Sequence, residues 1–172
     1  GVRAFGEAIA EGRSGVGYIE SFDTTGLPIK IAGEVKDFDV SPYLGPHKKN
    51  GKLMSRAMRF AVGAAAMAVE DSGVVVEKLD SSRFGVCMGT GITPVDVGEL
   101  VGPIRHGLGE DGQFDMGRFA QSRSESIFPL WLLQHLPNMA AAHIPIPHPA
   151  MGPNNTIVPA CPAGAQAGGD AH

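Results

Sequence analysis

Cysteine is scarce in this sequence: only Cys87 and Cys161 are present, too few for a scaffold stapled by disulfides. A reducing setting suits it best. A dominant charge of one sign is lacking too. The formal net charge of -4 gives no global field to draw in nucleic acid or an anionic membrane surface, so such a partner would need a local patch. Long hydrophobic runs are missing as well. Stretches such as Phe60 to Val69 are rich in Ala and Gly and shorter than a membrane span, and no charged-then-apolar signal segment opens the chain. The expectation is a soluble, cytoplasmic protein without nucleic-acid or membrane partners. No internal repeat at a fixed period is found.

What is present is enough apolar content, 43% of 172 residues, for one ordinary domain with a real core, and nothing requires two. The 24 glycines and 13 prolines cluster at motif-like positions, which predicts many tight turns. A short helical pattern (Phe5, Ala8, Ile9) ends at Gly12, and SGVGYIESFDTTGLP reads as surface connection. Ile29 to Val35 alternates well enough for a strand, and Pro46 to Lys52 reads as a basic loop. Lys52 to Ser72 is the clearest helix, with Ala57, Ala61, Ala64, Ala65 and Ala68 forming a small-residue face and Gly73 a left-handed stop.

From Arg83, FGVCMGTG reads as a buried strand with Cys87 in the core, running into glycine turns. Pro94 to His106 predicts another helix, Gly107 to Gly117 a polar loop, and Ile127 to Met139 an apolar stretch broken by Pro129 and Pro137. The alternating prolines of IPIPHP bar a central strand there. Thr156 to Val158, then Pro159, then small residues from Ala163 read as strand, sharp turn and helix. Helices alternating with strands argue for an α/β layer fold.

Cys161 stands just before the first turn of that last helix. The partial positive charge of a helix amino terminus favours a thiolate there, and a Cys161 amide without an intrahelical partner is placed to meet a developing oxyanion. Pro162 sits where a missing donor costs least. On these residues alone a structural cysteine and a nucleophile both remain open.

The surrounding sequence narrows the choice. LPNMAAAHI (Leu136 to Ile144) followed by GPNNTIVPACPAGAQAGGDA (Gly152 to Ala171) resembles the nucleophile region of elongating β-ketoacyl-acyl-carrier-protein synthases in content, order and spacing. The resemblance continues through EGRSGVGYIESFD, AVEDSG, RFGVCMGTGI and IFPLWLL, in the same order, and covers nearly all of the chain. It implies a thiolase-like α/β fold of two duplicated βαβαβαββ halves, of which residues 1–172 are most of the first, an amino-terminal domain truncated at both ends. It also implies a homodimer and no cofactor or metal.

The implied activity is a decarboxylative Claisen condensation of acyl and malonyl thioesters carried by acyl carrier protein, with Cys161 as the acyl-accepting nucleophile. The family's two catalytic histidines have no counterparts among His47, His106, His135, His143, His148 and His172, so the fragment itself is expected to be inactive. Where the family has Ser or Thr before Ala-Cys and Ala or Thr after it, this chain has Pro159 and Pro162. A non-catalytic partner subunit of the chain-length-factor type is therefore the alternative, although such relatives lack the cysteine.

By the same resemblance, Ile127 falls at the position that gates the acyl pocket, with Trp131 close behind it, and an apolar pocket suits a fatty acyl chain. Ordinary packing is the competing explanation for both. Lys48, Lys49 and Lys52, with Arg56 and Arg59, make the one basic cluster, where the family meets its acidic carrier protein; a solvated face is the plainer account. His143, His148 and Cys161 follow no zinc spacing, and GTGITPVDVGE has neither a P-loop lysine nor a dinucleotide fingerprint.

Overall fold

The computed structural model describes every residue except Ile92, Thr93, Pro94 and Asp96; of Val97 and residues 123–126 it describes the backbone alone. Two compact units divide the chain, Gly1–Asp39 and Val40–His172.

In the first unit, helix α1 (Val2–Ala10) ends as expected at Gly12, whose φ of +65° is the left-handed conformation that glycine adopts freely, while the Arg13 amide closes back on the Ala8 carbonyl at 2.8 Å. Beyond it the sequence reading needs correction. The supposed connection contains strand β1 (Val16–Tyr18), paired antiparallel with β2 (Ile31–Gly33) in the register Val16 to Gly33 and Tyr18 to Ile31. Three residues with a central glycine carry almost no periodic signal, so only the partner strand reveals β1. The predicted strand at 29–35 is correspondingly shortened. Its successor Glu34 turns aside and accepts hydrogen bonds from the Ser21 hydroxyl at 2.5 Å and the Glu20 amide at 3.0 Å, which hold its carboxyl below the usual carboxylate range.

In the second unit, the basic loop proves to be a 3-10 stretch, Gly45–Leu53, kinked at His47 and following a shorter one at Ser41–Tyr43. Pro46 presets its first turn and Leu44, fully buried, anchors the junction. Helix α2 (Arg56–Ser72) begins four residues later than the apolar pattern suggested, because the Ser55 side chain accepts the Met58 amide as an N-cap. Gly73 ends it at φ +66°. The buried stripe is Met58, Ala61, Val62 and Gly63, whereas Ala57, Ala64 and Ala68 are exposed. The larger side chains win the core.

Strand β3 (Val86–Gly89) pairs in parallel with β4 (Asn154–Ile157), Val86 opposite Asn154 and Gly89 opposite Ile157. Cys87, expected in the core, is half-buried and lines a cleft of 420 Å³ whose far wall is Ala61, Ala64, Ala65 and Ala68 of α2. Helix α3 (Val97–Gly107) packs on α4 (Met116–Ser126), with the bridge between Leu108 and Phe114 folding the intervening segment back on itself. The predicted start of α3 at Pro94 lies outside the described residues. Pro103 is tolerated inside α3 and is fully buried.

Two short helices follow, α5 (Trp131–His135) between Pro129 and Pro137 and α6 (Met139–His143). Ala140 and Ala141 are buried where α6 meets α2, and the Asn154 side-chain amide donates to the Ala141 carbonyl at 2.9 Å, tying β4 to α6. Helix α7 (Ala163–Asp170) lies on β3. Among the described residues, no helix is long and apolar enough to cross a membrane.

His143 is 4% exposed and neither ring nitrogen has a hydrogen-bond partner, so burial holds its pKa below the usual 6.5. The folded state then binds the proton more weakly than the unfolded chain. Stability contributed by the neutral ring is complete above about pH 6.5 and is lost as the pH falls from there toward the folded-state pKa. Urea unfolding at several pH values should therefore show a decline below about pH 6.5 that His143→Phe flattens.

Candidate active site

Strand β4 delivers the chain to a short turn, Val158 to Pro162, and α7 departs from it. Ala160 there adopts φ +68°, a left-handed conformation that alanine takes only at a cost, and its carbonyl accepts the Ala163 amide at 3.2 Å. Cys161 occupies the apex and is exposed. Among the described residues nothing hydrogen-bonds to its amide or its thiol. With Pro162 as the N-cap of α7, Cys161 stands one residue ahead of that cap, and its amide is left free by the turn itself.

What fixes this turn is backbone packed against backbone. Ala163 and Ala167, 5% and 6% exposed, press α7 on the sheet. Gly89, last in β3, lies so close that a Cβ added there would overlap the Ala163 carbonyl and come within 2.7 Å of the Gly164 nitrogen. The Thr90 amide then donates to the Ile157 carbonyl at 3.0 Å, holding the two strand ends level. A similar approach of Gly152 to the Phe84 carbonyl, 2.9 Å from a would-be Cβ, seats the start of β4.

A second cluster gathers other residues singled out from sequence. Ile127 and Trp131 line one cleft of 330 Å³ with Lys52, Glu99, Phe128 and Gln134. Ile127, Phe128 and Trp131 also wall a neighbouring apolar cleft of 640 Å³, completed by residues that include Leu100, Phe119 and Leu132. Lys52 is exposed, and its carbonyl accepts the Gln134 side-chain amide at 2.9 Å, joining the basic segment to α5. Lys48 and Lys49 are exposed on the same 3-10 segment without lining either cleft. Arg56, by contrast, lays its guanidinium 5.2 Å over the Phe60 ring.

Cys161 is not among the residues that line these two clefts. Sequence reasoning passed over Glu99, which accepts the Trp131 indole N–H at 2.5 Å, and His135, stacked on the same indole with centroids 4.2 Å apart. The Trp131–His135 spacing of one helical turn was a usable signal for the stack. Nothing local marks Glu99. Among the described residues, no three His, Cys, Asp or Glu side chains gather closely enough to hold a metal ion.

The parallel β3–β4 pair, the helix laid over its end and the cysteine between strand and helix form one strand–turn–helix unit with an exposed thiol at its bend. Residues 1–172 match the family described as "Beta-ketoacyl synthase, N-terminal domain" along their whole length, and the chain belongs to that family. It is 36% identical over 165 residues to the 3-oxoacyl-[acyl-carrier-protein] synthase 2 of Synechocystis, a match covering 96% of this chain and 36% of that protein. To the enzyme of the same name from Vibrio harveyi it is 31% identical, covering 92% of this chain and 34% of the relative. The Staphylococcus aureus enzyme is 27% identical, over 99% of this chain and 38% of its own length. The chain thus spans little more than a third of these relatives.

Among solved structures, the ishigamide ketosynthase/chain length factor superposes with a TM-score of 0.63 at 23% identity, covering 92% of this chain and 36% of that one. The fold is accordingly ketosynthase-like, and so thiolase-like.

Proposed function

We propose that the full-length protein is a condensing enzyme of fatty acid or polyketide synthesis that works on thioesters of acyl carrier protein, as a cytoplasmic homodimer whose two halves repeat one βαβαβαββ unit. The Cys161 thiolate attacks an acyl thioester, forming a new thioester bond and expelling the carrier thiolate. A malonyl thioester then loses carbon dioxide, the electron pair of the broken carbon–carbon bond becomes a carbanion, and this attacks the cysteine-bound carbonyl. The tetrahedral intermediate collapses to a β-ketoacyl thioester and returns the Cys161 thiolate. An oxyanion forms in both acyl transfers, and the unpaired Cys161 amide is a donor of the kind that stabilises it.

The observation that carries this reading is the exposed thiol at the apex of a turn locked to the sheet, with its own amide free. Acyl-loaded and malonyl-loaded carrier protein supplied to the full-length protein should yield carbon dioxide, a β-ketoacyl product and an acyl mass on Cys161. Binding and dimerisation with no acyl transfer would overturn it and leave a non-catalytic partner subunit in its place.

Lys48, Lys49 and Lys52 are proposed to steer the acidic carrier protein, since all three are exposed on one short segment and none forms an ion pair among the described residues. Changing the three to Glu is expected to weaken carrier-protein binding about tenfold at low ionic strength, with the loss shrinking as salt is added. Surface plasmon resonance across a salt series measures it. Unchanged affinity removes this segment from the docking surface.

A further inference from the structure

The indole of Trp131 is held from two sides. Glu99, in the first turn of α3, accepts its N–H at 2.5 Å, and the His135 ring covers its face at an interplanar angle of 27°. His135 reaches back one turn, its Nδ1 2.9 Å from the Trp131 carbonyl. A carbonyl only accepts, so Nδ1 carries a proton and donates it. The other ring nitrogen decides what the cluster does. Nε2 lies 3.6 Å from the Glu99 carboxylate oxygen that the indole also uses.

In a neutral ring with its proton on Nδ1, Nε2 is a bare lone pair, and it faces an oxygen that can only accept. Acceptor then meets acceptor. A second proton, on Nε2, reverses the contact. The imidazolium aims an N–H at the carboxylate and stacks a positive charge on the indole face, where the ring quadrupole attracts it. The His135 side chain is only 10% exposed, so solvent screens neither interaction fully.

The charges around His135 leave Glu99 as its counter-ion. The 3-10 stretch packed on α5 contributes Lys52, which lines the cleft beside Glu99 and Trp131 and opposes a second positive charge there, but from an exposed position. His47, Lys48 and Lys49 of the same stretch are not among that cleft's lining residues. On α6, also packed on α5, the one titratable side chain is His143, whose ring nitrogens have no hydrogen-bond partner.

We infer that Glu99, Trp131 and His135 form a proton-operated clasp: protonation of His135 draws Nε2 onto the Glu99 carboxylate and fastens α5 to α3, and deprotonation releases it. Trp131 is the pin, since its N–H and its face are the two surfaces gripped. Histidine is the side chain that ordinarily changes charge between about pH 5 and pH 8, which makes it the moving part.

The test compares the full-length protein at about pH 5.5 and about pH 8. Trp131 fluorescence, isolated by subtracting a Trp131→Phe variant, gives the access of acrylamide to the indole. Hydrogen exchange of the amides of residues 131–135, expressed as protection factors, reports whether α5 is held. Both readouts should show a tighter clasp at the lower pH, by roughly two- to fivefold, the range expected of a partly exposed ion pair. His135→Phe keeps an aromatic ring on the indole but takes no proton, and Glu99→Gln keeps an acceptor for the indole but no charge. Each should abolish the pH difference, whereas Lys52→Gln should preserve it. Burial of His143 acts in the opposite sense, loosening the fold under acid, and is common to every variant.

Equal protection and equal acrylamide access at the two pH values would overturn the inference. So would a pH difference that survives in His135→Phe or Glu99→Gln, which would place the proton elsewhere. Emission that changes with pH while access and protection do not would mean that His135 titrates against the indole without fastening α5, and the clasp fails on that result too. The measurement needs no substrate, so its outcome is independent of the condensing-enzyme reading.

Discussion

Cys161→Ala should abolish acyl-enzyme formation in the full-length protein and lower condensation by more than roughly a thousandfold, because loss of a covalent nucleophile leaves only binding and oxyanion stabilisation. Stability should barely change: the side chain is exposed and makes no hydrogen bond among the described residues, so no packed contact is lost. Separation of these two outcomes is what distinguishes a nucleophile from a structural thiol. Cys87 supplies the internal control. Half-buried in the cleft between β3 and α2, it should react with iodoacetamide more slowly than Cys161, and Cys87→Ala should leave acylation intact. An acyl mass surviving in Cys161→Ala would sink the assignment.

Gly89→Val is expected to lower activity as well, less severely and by an entirely different route. No side chain fits between the end of β3 and the first residues of α7, and the atoms in the way are the Ala163 carbonyl and the Gly164 amide nitrogen, which cannot rotate aside as the tip of a flexible side chain would. The helix must lift. Overpacking of this kind costs about 1–3 kcal/mol, readable as a lower urea midpoint. Since α7 and the Cys161 turn are continuous, displacement of the helix by about 1 Å should also cut acylation on the order of a hundredfold. Gly168→Ala in the same helix meets nothing within 4 Å and should be neutral or slightly stabilising. Should Gly89→Val acylate normally, the close approach does not set the thiol's position.

The sequence made the local features legible wherever one residue type dictates one backbone state. Gly73 as the end of α2, Gly12 after α1 and Pro162 at the threshold of α7 all behave as their chemistry requires. The strand-turn-helix holding Cys161 was readable for the same reason. Features that depend on what lies opposite were not. Strand β1 exists because β2 is beside it, and of the alanine face of α2 only Ala61 joins the core while Ala64, Ala65 and Ala68 border a cleft, since Met58 and Val62 offer more apolar surface to bury.

The same division runs through the candidate sites. Ile127 and Trp131 were singled out together by resemblance and Lys52 as part of the basic cluster, and the structure lines one cleft with all three. Glu99, thirty-two positions before Trp131, joins them only through tertiary contact. Pairing of a carboxylate with an indole leaves no periodic trace. Lys48 and Lys49 stay on the outer surface, apart from that cleft. The left-handed backbone at Ala160 was equally invisible, because an alanine between Pro159 and Cys161 carries no signal for it.

Pro159 and Pro162 bracket the Cys161 turn and carry a consequence for the unfolded chain. A ring that fixes φ restricts the denatured ensemble as much as the folded one, and each such substitution at a compatible site is worth about 0.4–1 kcal/mol in conformational entropy that folding no longer has to remove. Cys161 therefore enters folding on a segment already limited to few shapes. When heat loosens Ala163 and Ala167 from the sheet, the two rings still confine the thiol to nearly the same arc of backbone, so the order of the turn should outlast that of the helix it introduces.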